Sequence, residues 1–151
     1  MRHREKVLAH AEQELFSKGN LNPEELLKLY KRFIKLENHR IRLRHQSGGG
    51  GREICSQRAT VVDTVLRHLL EAARRLETTQ KRSHLNLALV AIGGFGRGEL
   101  NPYSDVDLMF LHEPSGNSTG AAAELAGIVE KILYTLWDVG FKVGHSTRTV
   151  K

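Results

Sequence analysis

Cysteine is nearly missing from this sequence: Cys55 is the only one in 151 residues. One thiol excludes an internal disulfide and any cysteine-built metal cluster. It falls in a helical pattern, which reads as a buried or neutral thiol rather than a nucleophile. Long apolar runs are also absent, and none approaches the ~20 residues a membrane-spanning helix needs. The N-terminus is polar and lacks the apolar stretch of a secretory signal. Aromatic residues make up only 6% of the chain. None interleaves the densest basic cluster, Arg40, Arg42, Arg44, His45 and Arg52. A stacking surface for single-stranded nucleic acid is therefore not indicated. Acidic residues are the minority, 17 against 23 Lys and Arg, for a net charge of +6. Such a balance favours polyanionic partners, nucleotide phosphates included. With 40% hydrophobic residues the chain can build one compact domain. These features together suit a cytoplasmic protein with no membrane partner.

Most of the first half reads as helix. Residues 1–18 carry Leu8, Ala11, Leu15 and Phe16 near helical spacing, with Gly19 placed to close the helix. Asn22-Pro23-Glu24-Glu25 is a start signal for a second helix: Asn22 caps, Pro23 suits the first turn, and Glu25 reaches back. Its apolar stripe is Leu26, Leu27, Tyr30, Phe33, Ile34 and Leu36. Ser47 and the four glycines Gly48 to Gly51 then read as a flexible hinge, since no strand precedes them. From about Arg52 to Leu76 a third helix keeps Ile54, Val61, Val62, Val65, Leu66, Leu69, Leu70, Ala73 and Leu76 on one face. Thr78 to Ser83 is a polar, basic lead-in. These observations define a helical region over 1–82, with the hinge at 47–51, and a second region over 83–151.

The second region changes character. Leu85 to Ile92 reads as a buried strand and Leu108 to Leu111 as another. Glu113 to Gly120 is a loop, Ala121 to Val139 a helix stopped by Gly140, and Phe141 to Val150 a third strand. The order implies an α/β or α+β fold with a small sheet. Between the first two strands lies Gly93-Gly94-Phe95-Gly96-Arg97-Gly98-Glu99-Leu100-Asn101-Pro102-Tyr103-Ser104-Asp105-Val106-Asp107-Leu108. Glycines at this density let backbone N–H groups turn toward an anion. Residues i and i+2 of a strand share a face, so Asp105 and Asp107 project together. Two neighbouring carboxylates repel unless a cation lies between them. Magnesium takes one or two carboxylates plus substrate phosphates and water. The arrangement thus fits a metal–triphosphate complex, against the plainer reading of a solvated Asp pair in a turn. No Gly-Lys-Ser/Thr follows, which excludes a Walker loop, and Glu99 stands where a dinucleotide fingerprint needs its third glycine.

The stretch from Gly93 to Leu108 resembles the signature of the DNA polymerase β-like nucleotidyltransferases. More narrowly, it is similar to the bacterial uridylyltransferase/uridylyl-removing enzymes that modify the nitrogen-signalling protein PII. A second block, Leu136-Trp137-Asp138-Val139-Gly140-Phe141-Lys142-Val143-Gly144-His145-Ser146-Thr147-Arg148-Thr149, matches the same family. The two blocks cover about the last third of the chain. The resemblance implies a small mixed sheet backed by helices and a magnesium-dependent transfer of UMP from UTP to a tyrosine hydroxyl of PII. Asp105 and Asp107 would be the catalytic metal ligands. Gly93, Gly94 and the Phe95 N–H would cradle the triphosphate. Arg97 could offset phosphate charge, or be an exposed turn arginine. Ser104 could orient a carboxylate, or cap a turn. Many members of the wider superfamily have serine where Phe95 stands, whereas the uridylyltransferases carry an aromatic residue.

The wider superfamily also places a third carboxylate on the strand after the helix. Gly144 occupies that position here, and no Asp or Glu occurs from Phe141 to Lys151. The uridylyltransferases share this Gly-His pair, which leaves the general base unassigned. Glu99 reads as an ion-pair partner of Arg97 or Arg148, Trp137 and Phe141 as core rather than base-stacking, and His145 as structural, against a contact with substrate. A glutamine-synthetase adenylyltransferase using ATP is the alternative enzyme. A regulatory nucleotide-sensing module of the same fold is the alternative without catalysis. A family member would continue beyond Lys151 into further helices, a metal-dependent HD hydrolase domain and ACT sensor domains, so the chain reads as an N-terminal piece.

Overall fold

The computed structural model describes residues 3–19, 21–77, 85–114 and 119–150. The elements run α1 (His3–Ala11), a π-helical turn (Glu12–Phe16), α2 (Pro23–Gln46), α3 (Gly51–Glu77), β1 (Leu87–Ala91), the one-turn α4 (Gly93–Gly96), β2 (Val106–His112), α5 (Thr119–Asp138) and β3 (Val143–Thr149). The fold class is the α/β arrangement expected, with the helices first and a small mixed sheet after them. The lead-in at 78–83, residues 115–118 of the loop before α5, and the Leu76 side chain lie outside the described residues.

Local signals explain most element boundaries. The Asn22 side chain accepts from the Glu25 N–H at 2.9 Å, and Glu25 accepts from the Asn22 N–H at 3.2 Å. This reciprocal cap supplies about 1 kcal/mol at the start of α2. α5 ends in a Schellman motif: Gly140 N–H bonds Trp137 C=O and Phe141 N–H bonds Leu136 C=O, both at 2.9 Å. Gly140 sits at φ +95°, a conformation that favours glycine.

Several expectations change in the helical region. The first helix is not uniformly α. It widens into the π-turn, where Ser17 N–H reaches back five residues to Glu12 C=O. Gly19 is not a left-handed cap, because its φ is not positive. Leu8 and Leu36 are exposed while Val7, Ala11 and Leu15 are buried, so the α1 stripe is offset by one residue from Leu8. The run expected as a hinge is folded into a hydrogen-bonded turn, with Gly48 N–H on His45 C=O and Gly49 N–H on Arg44 C=O. α3 begins inside it at Gly51.

The sheet order is β1-β2-β3, with β1–β2 antiparallel and β2–β3 parallel. β2 is therefore central, and Val106, Leu108 and Phe110 alternate into the core. β1 was expected to be buried, but only Leu87 is. Leu89 and Val90 are half-buried, Leu89 against the core, and Ala88 and Ala91 are exposed. α5 supplies Ile128, Ile132, Leu133 and Leu136 to the core and packs on α3. The buried residues form one cluster that joins α1, α2 and α3 to the sheet and α5.

A polar contact sits inside this cluster. The buried Tyr30 hydroxyl lies 2.7 Å from His68 Nδ1. Burial lowers the His68 pKa below its ordinary 6.5 and raises that of Tyr30. The neutral imidazole accepts and the phenol donates. Because the folded pKa is depressed, the unfolded chain binds more protons just below pH 6.5, and stability falls as pH drops through that range. The urea midpoint should decrease from neutral to mildly acidic pH, with a shallower decrease in His68→Gln. Equal slopes in the two proteins would remove His68 as a source of the effect.

Candidate functional site

The site forms where β1 ends and β2 begins. Ile92 N–H bonds Asp107 C=O at 2.9 Å, closing the antiparallel ladder. The chain then turns sharply through Gly93–Gly96. Gly96 N–H takes the Ile92 C=O at 2.9 Å as the first bond of that turn, so the N–H groups of Gly93, Gly94 and Phe95 precede the internal ladder. The Phe95 ring is buried. It anchors the turn from below and offers the site only its backbone.

Asp107 is the centre of the arrangement. Its strand neighbour in the parallel register is Gly144. A Cβ built at Gly144 would lie 2.5 Å from Asp107 Oδ1, and one built at Gly93 would lie 2.9 Å from Asp107 Oδ2. The carboxylate thus rests with one oxygen against each glycine, a space that exists because both side chains are hydrogen. Gly93 has φ +60°, so glycine is needed there for conformation as well as for room. Asp105 is exposed and stands just ahead of β2. Val106, between the two acids, is fully buried and its N–H bonds Lys142 C=O at 2.8 Å. Alternation about this buried residue directs both flanking carboxylates away from the core.

The return path from the turn is fastened to α3. Leu100 is fully buried, its N–H bonds Cys55 C=O at 3.3 Å, and Cys55 Sγ donates to Asn101 Oδ1 at 3.0 Å. Cys55 is half-buried rather than buried, and its thiol is spent on Asn101. Glu99 lies 3.4 Å from Arg52 Nε on α3 and 4.0 Å from Arg97 Nε. Arg97 is exposed, and its guanidinium comes within 3.9 Å of where a Gly94 Cβ would stand. It therefore hangs over the glycine turn. Ser104 is exposed, with its N–H on Asn101 C=O at 3.2 Å. Tyr103, to which the sequence pattern assigned no role, is 97% exposed beside Asp105.

His145 pairs with Leu108 rather than with Asp107. It therefore shares the helix-covered face of the sheet, opposite the carboxylate face, and its ring lies 6.4 Å from that of Trp137. His145 is exposed there, off the carboxylate face. Phe141 is buried as expected, but Trp137 is 44% exposed and packs edge-on against Tyr134. It belongs to the rim, because Leu136 and Leu133 take the inward face of α5. The basic cluster of the sequence is largely consumed by acids: Arg40 meets Glu37, Arg44 meets Glu53, and Arg52 meets Glu99.

The donor set suits a hard divalent cation bound together with a substrate. Among the described residues no group of three or more His, Cys, Asp or Glu could hold a metal ion by itself. Two carboxylates beside an N–H-lined turn match magnesium, which completes its shell with phosphate oxygens and water.

Small mixed sheet, glycine turn and paired carboxylates define a nucleotidyltransferase-like domain. Residues 2–130 match the family model described as glutamate-ammonia ligase adenylyltransferase. The chain belongs to this family. Bifunctional uridylyltransferase/uridylyl-removing enzymes are among its similar relatives. That of Pseudomonas putida KT2440 is 34% identical over 150 residues, covering 95% of this chain and 15% of the relative. That of Pseudomonas fluorescens SBW25 is 33% identical over 148 residues, with the same coverage. That of Phenylobacterium zucineum is 37% identical over 109 residues, covering 71% of this chain and 11% of the relative. The chain therefore spans about 15% of the length of the Pseudomonas relatives. No solved structure matches. No helix among the described residues is long and apolar enough to cross a membrane.

Proposed function

We propose that this chain carries the phosphate- and metal-holding part of a site that transfers UMP from UTP to a tyrosine hydroxyl of a PII-type signalling protein. The observation that supports it most directly is the Asp107 carboxylate seated between Gly93 and Gly144 at the mouth of an N–H-lined turn. In the reaction the tyrosine oxygen attacks the α-phosphorus, the bond to the β-phosphate oxygen breaks, and pyrophosphate leaves. Asp105 and Asp107 would hold magnesium, which when bound offsets charge on the triphosphate and the leaving group. The N–H groups of Gly93, Gly94 and Phe95 fix the phosphates, and Arg97 above the turn adds positive charge. Ser104 stands close enough in sequence to steady Asp105. With these groups preset, the triphosphate arrives oriented for in-line attack.

The family description names an adenylyltransferase, and this gives a second reading, transfer of AMP from ATP. The match to that family model ends at residue 130, before the block Leu136 to Thr149. The Pseudomonas relatives cover 95% of the chain, a coverage that favours uridylyl transfer. The test is a chimera in which residues 1–151 replace the corresponding segment of the Pseudomonas putida enzyme. It should label a PII-type protein from UTP, and from ATP much less. Preference for ATP would support the adenylyl reading. A folded chimera that uses neither nucleotide would overturn the assignment as a transferase.

A further inference from the structure

The outward face of α2 is basic along its middle. The helix carries seven Lys and Arg against three Glu. Glu24 and Glu25 lie in its first turn, and Glu37 is buried against His10 and Arg40. Lys28, Lys31, Lys35, His39 and Arg42 are exposed and follow one another at steps of three or four residues, so they share one face. At 1.5 Å per residue the stripe is about 21 Å long. Arg32 beside it meets Glu14 at 3.4 Å. Lys28, Lys31, Lys35 and Arg42 meet no carboxylate among the described residues.

A face that only had to be solvated would not need this pattern. Like charges three or four residues apart weaken a helix. The outer face of α3 shows the usual arrangement: Arg67 meets Asp63 at 2.9 Å and Arg75 meets Glu71 at 3.7 Å, each one turn away. α2 keeps its cations unopposed. Leu36 and Leu43, 40% and 50% exposed, lie seven residues apart along one edge of the stripe. Unopposed charge bordered by exposed apolar side chains suits a surface that meets a partner of opposite sign.

That partner must be acidic and must offer something to the leucines. A second copy of this chain, at a net +6, is repelled. Nucleic acid matches the charge but sets Leu36 and Leu43 against phosphate, and no aromatic residue stands in the stripe to stack on bases. A membrane surface takes the apolar face of a helix, and that of α2 is spent on the core through Leu29, Phe33, Ile34 and Ile41. An acidic protein surface remains. We propose that this face docks the protein that accepts the nucleotidyl group, with carboxylates against Lys28, Lys31, Lys35 and Arg42 and apolar side chains against Leu36 and Leu43. The proposal rests on the transfer reading above and names the surface that brings the acceptor. The stripe runs toward the correct end of the molecule. Arg44, just past Arg42, forks onto Glu53 of α3, with Nε 2.7 Å from Oε1 and Nη2 3.0 Å from Oε2. Arg52 and Cys55, on either side of Glu53, hold Glu99, Leu100 and Asn101. A partner lying along α2 is thus led from Arg42 toward the end that carries the glycine turn.

The experiment reverses two charges in the Pseudomonas chimera, Lys31→Glu with Lys35→Glu. Its control is Arg67→Glu with Arg75→Glu, the same change of net charge made on α3. The α2 pair should raise the KM for the PII-type acceptor by about tenfold or more at low salt, with kcat and the KM for UTP near those of the parent. The parent's kcat/KM for the acceptor should fall as salt rises from about 50 to about 300 mM, and fall less in the α2 variant. The α3 pair should keep the parent's KM. Both α2 positions are exposed and glutamate forms helix as well as lysine, so the melting temperature should hold. Calorimetric titration of the chimera with the acceptor, without nucleotide, reads the same surface independently of turnover, so failure of the docking and failure of the transfer reading are told apart. The proposal is overturned if the parent does not bind the acceptor, if the α2 pair leaves the acceptor's KM and affinity unchanged, or if the α3 pair weakens both as much. It is equally overturned if the α2 reversal removes binding of a single-stranded RNA and spares the acceptor.

Discussion

Asp107→Asn in the Pseudomonas chimera is expected to abolish transfer, by about 10³-fold or more, while leaving the melting temperature within a few degrees of the parent. A metal-held triphosphate accounts for several kcal/mol of transition-state stabilisation, and each 1.36 kcal/mol is worth about tenfold in rate. Asparagine keeps the shape of the side chain but removes the charge that a hard cation requires. It fits the same space between Gly93 and Gly144, so the sheet has no reason to rearrange. Asp105→Asn should behave similarly, with even less effect on the fold because Asp105 is exposed ahead of β2. Turnover near the parent level in either protein would remove the carboxylate pair from the chemistry. Loss of turnover together with a large drop in melting temperature would instead make Asp107 a structural residue.

The carboxylate pair and the glycines around it could be read from the sequence because their message is local. Asp-x-Asp at a strand start and glycines in a turn fix direction and backbone freedom within a few residues. The Asn22–Glu25 cap and the Gly140 stop were legible for the same reason. The features that escaped depended on partners far along the chain. Nothing near Leu87 to Ala91 states that β1 lies at the edge of the sheet; its place there is a consequence of β2 pairing on both sides. Leu8 looked like core because helical spacing alone does not say which of two adjacent residues faces α3, and Val7 won. The π-turn at Glu12–Phe16 shifts the register of the residues after it, a change no periodicity count anticipates. Trp137 was expected inside because it is large and apolar, yet four aliphatic residues of α5 already fill that face. The burial of Glu37 and Gln57 gave no signal at all, since both resemble ordinary surface polars until the helices are packed.

Gly144 gives the second large effect, and its sequence signal was an absence. The glycine stood out only because an acid was expected there. The structure gives it a positive role: it is the strand neighbour of Asp107, and a methyl group at its Cα would lie 2.5 Å from Asp107 Oδ1. Real carbon and oxygen atoms do not approach so closely, so in Gly144→Ala the carboxylate must turn away. Turning it away carries the other oxygen into the space beside Gly93, off the position it holds in the structure. A displacement of about 1 Å in a positioning group can cost about 10²-fold in rate. Gly144→Ala in the chimera should therefore lose about that much turnover. Stability should change little, because alanine is favoured over glycine in a strand interior and offsets part of the strain. The comparison that decides is Gly144→Ala against Gly140→Ala, a change at positive φ with open space around it. The second should lower the melting temperature while sparing turnover below it. If both lower stability and neither lowers turnover, the seat of Asp107 is a packing feature and the metal is held elsewhere.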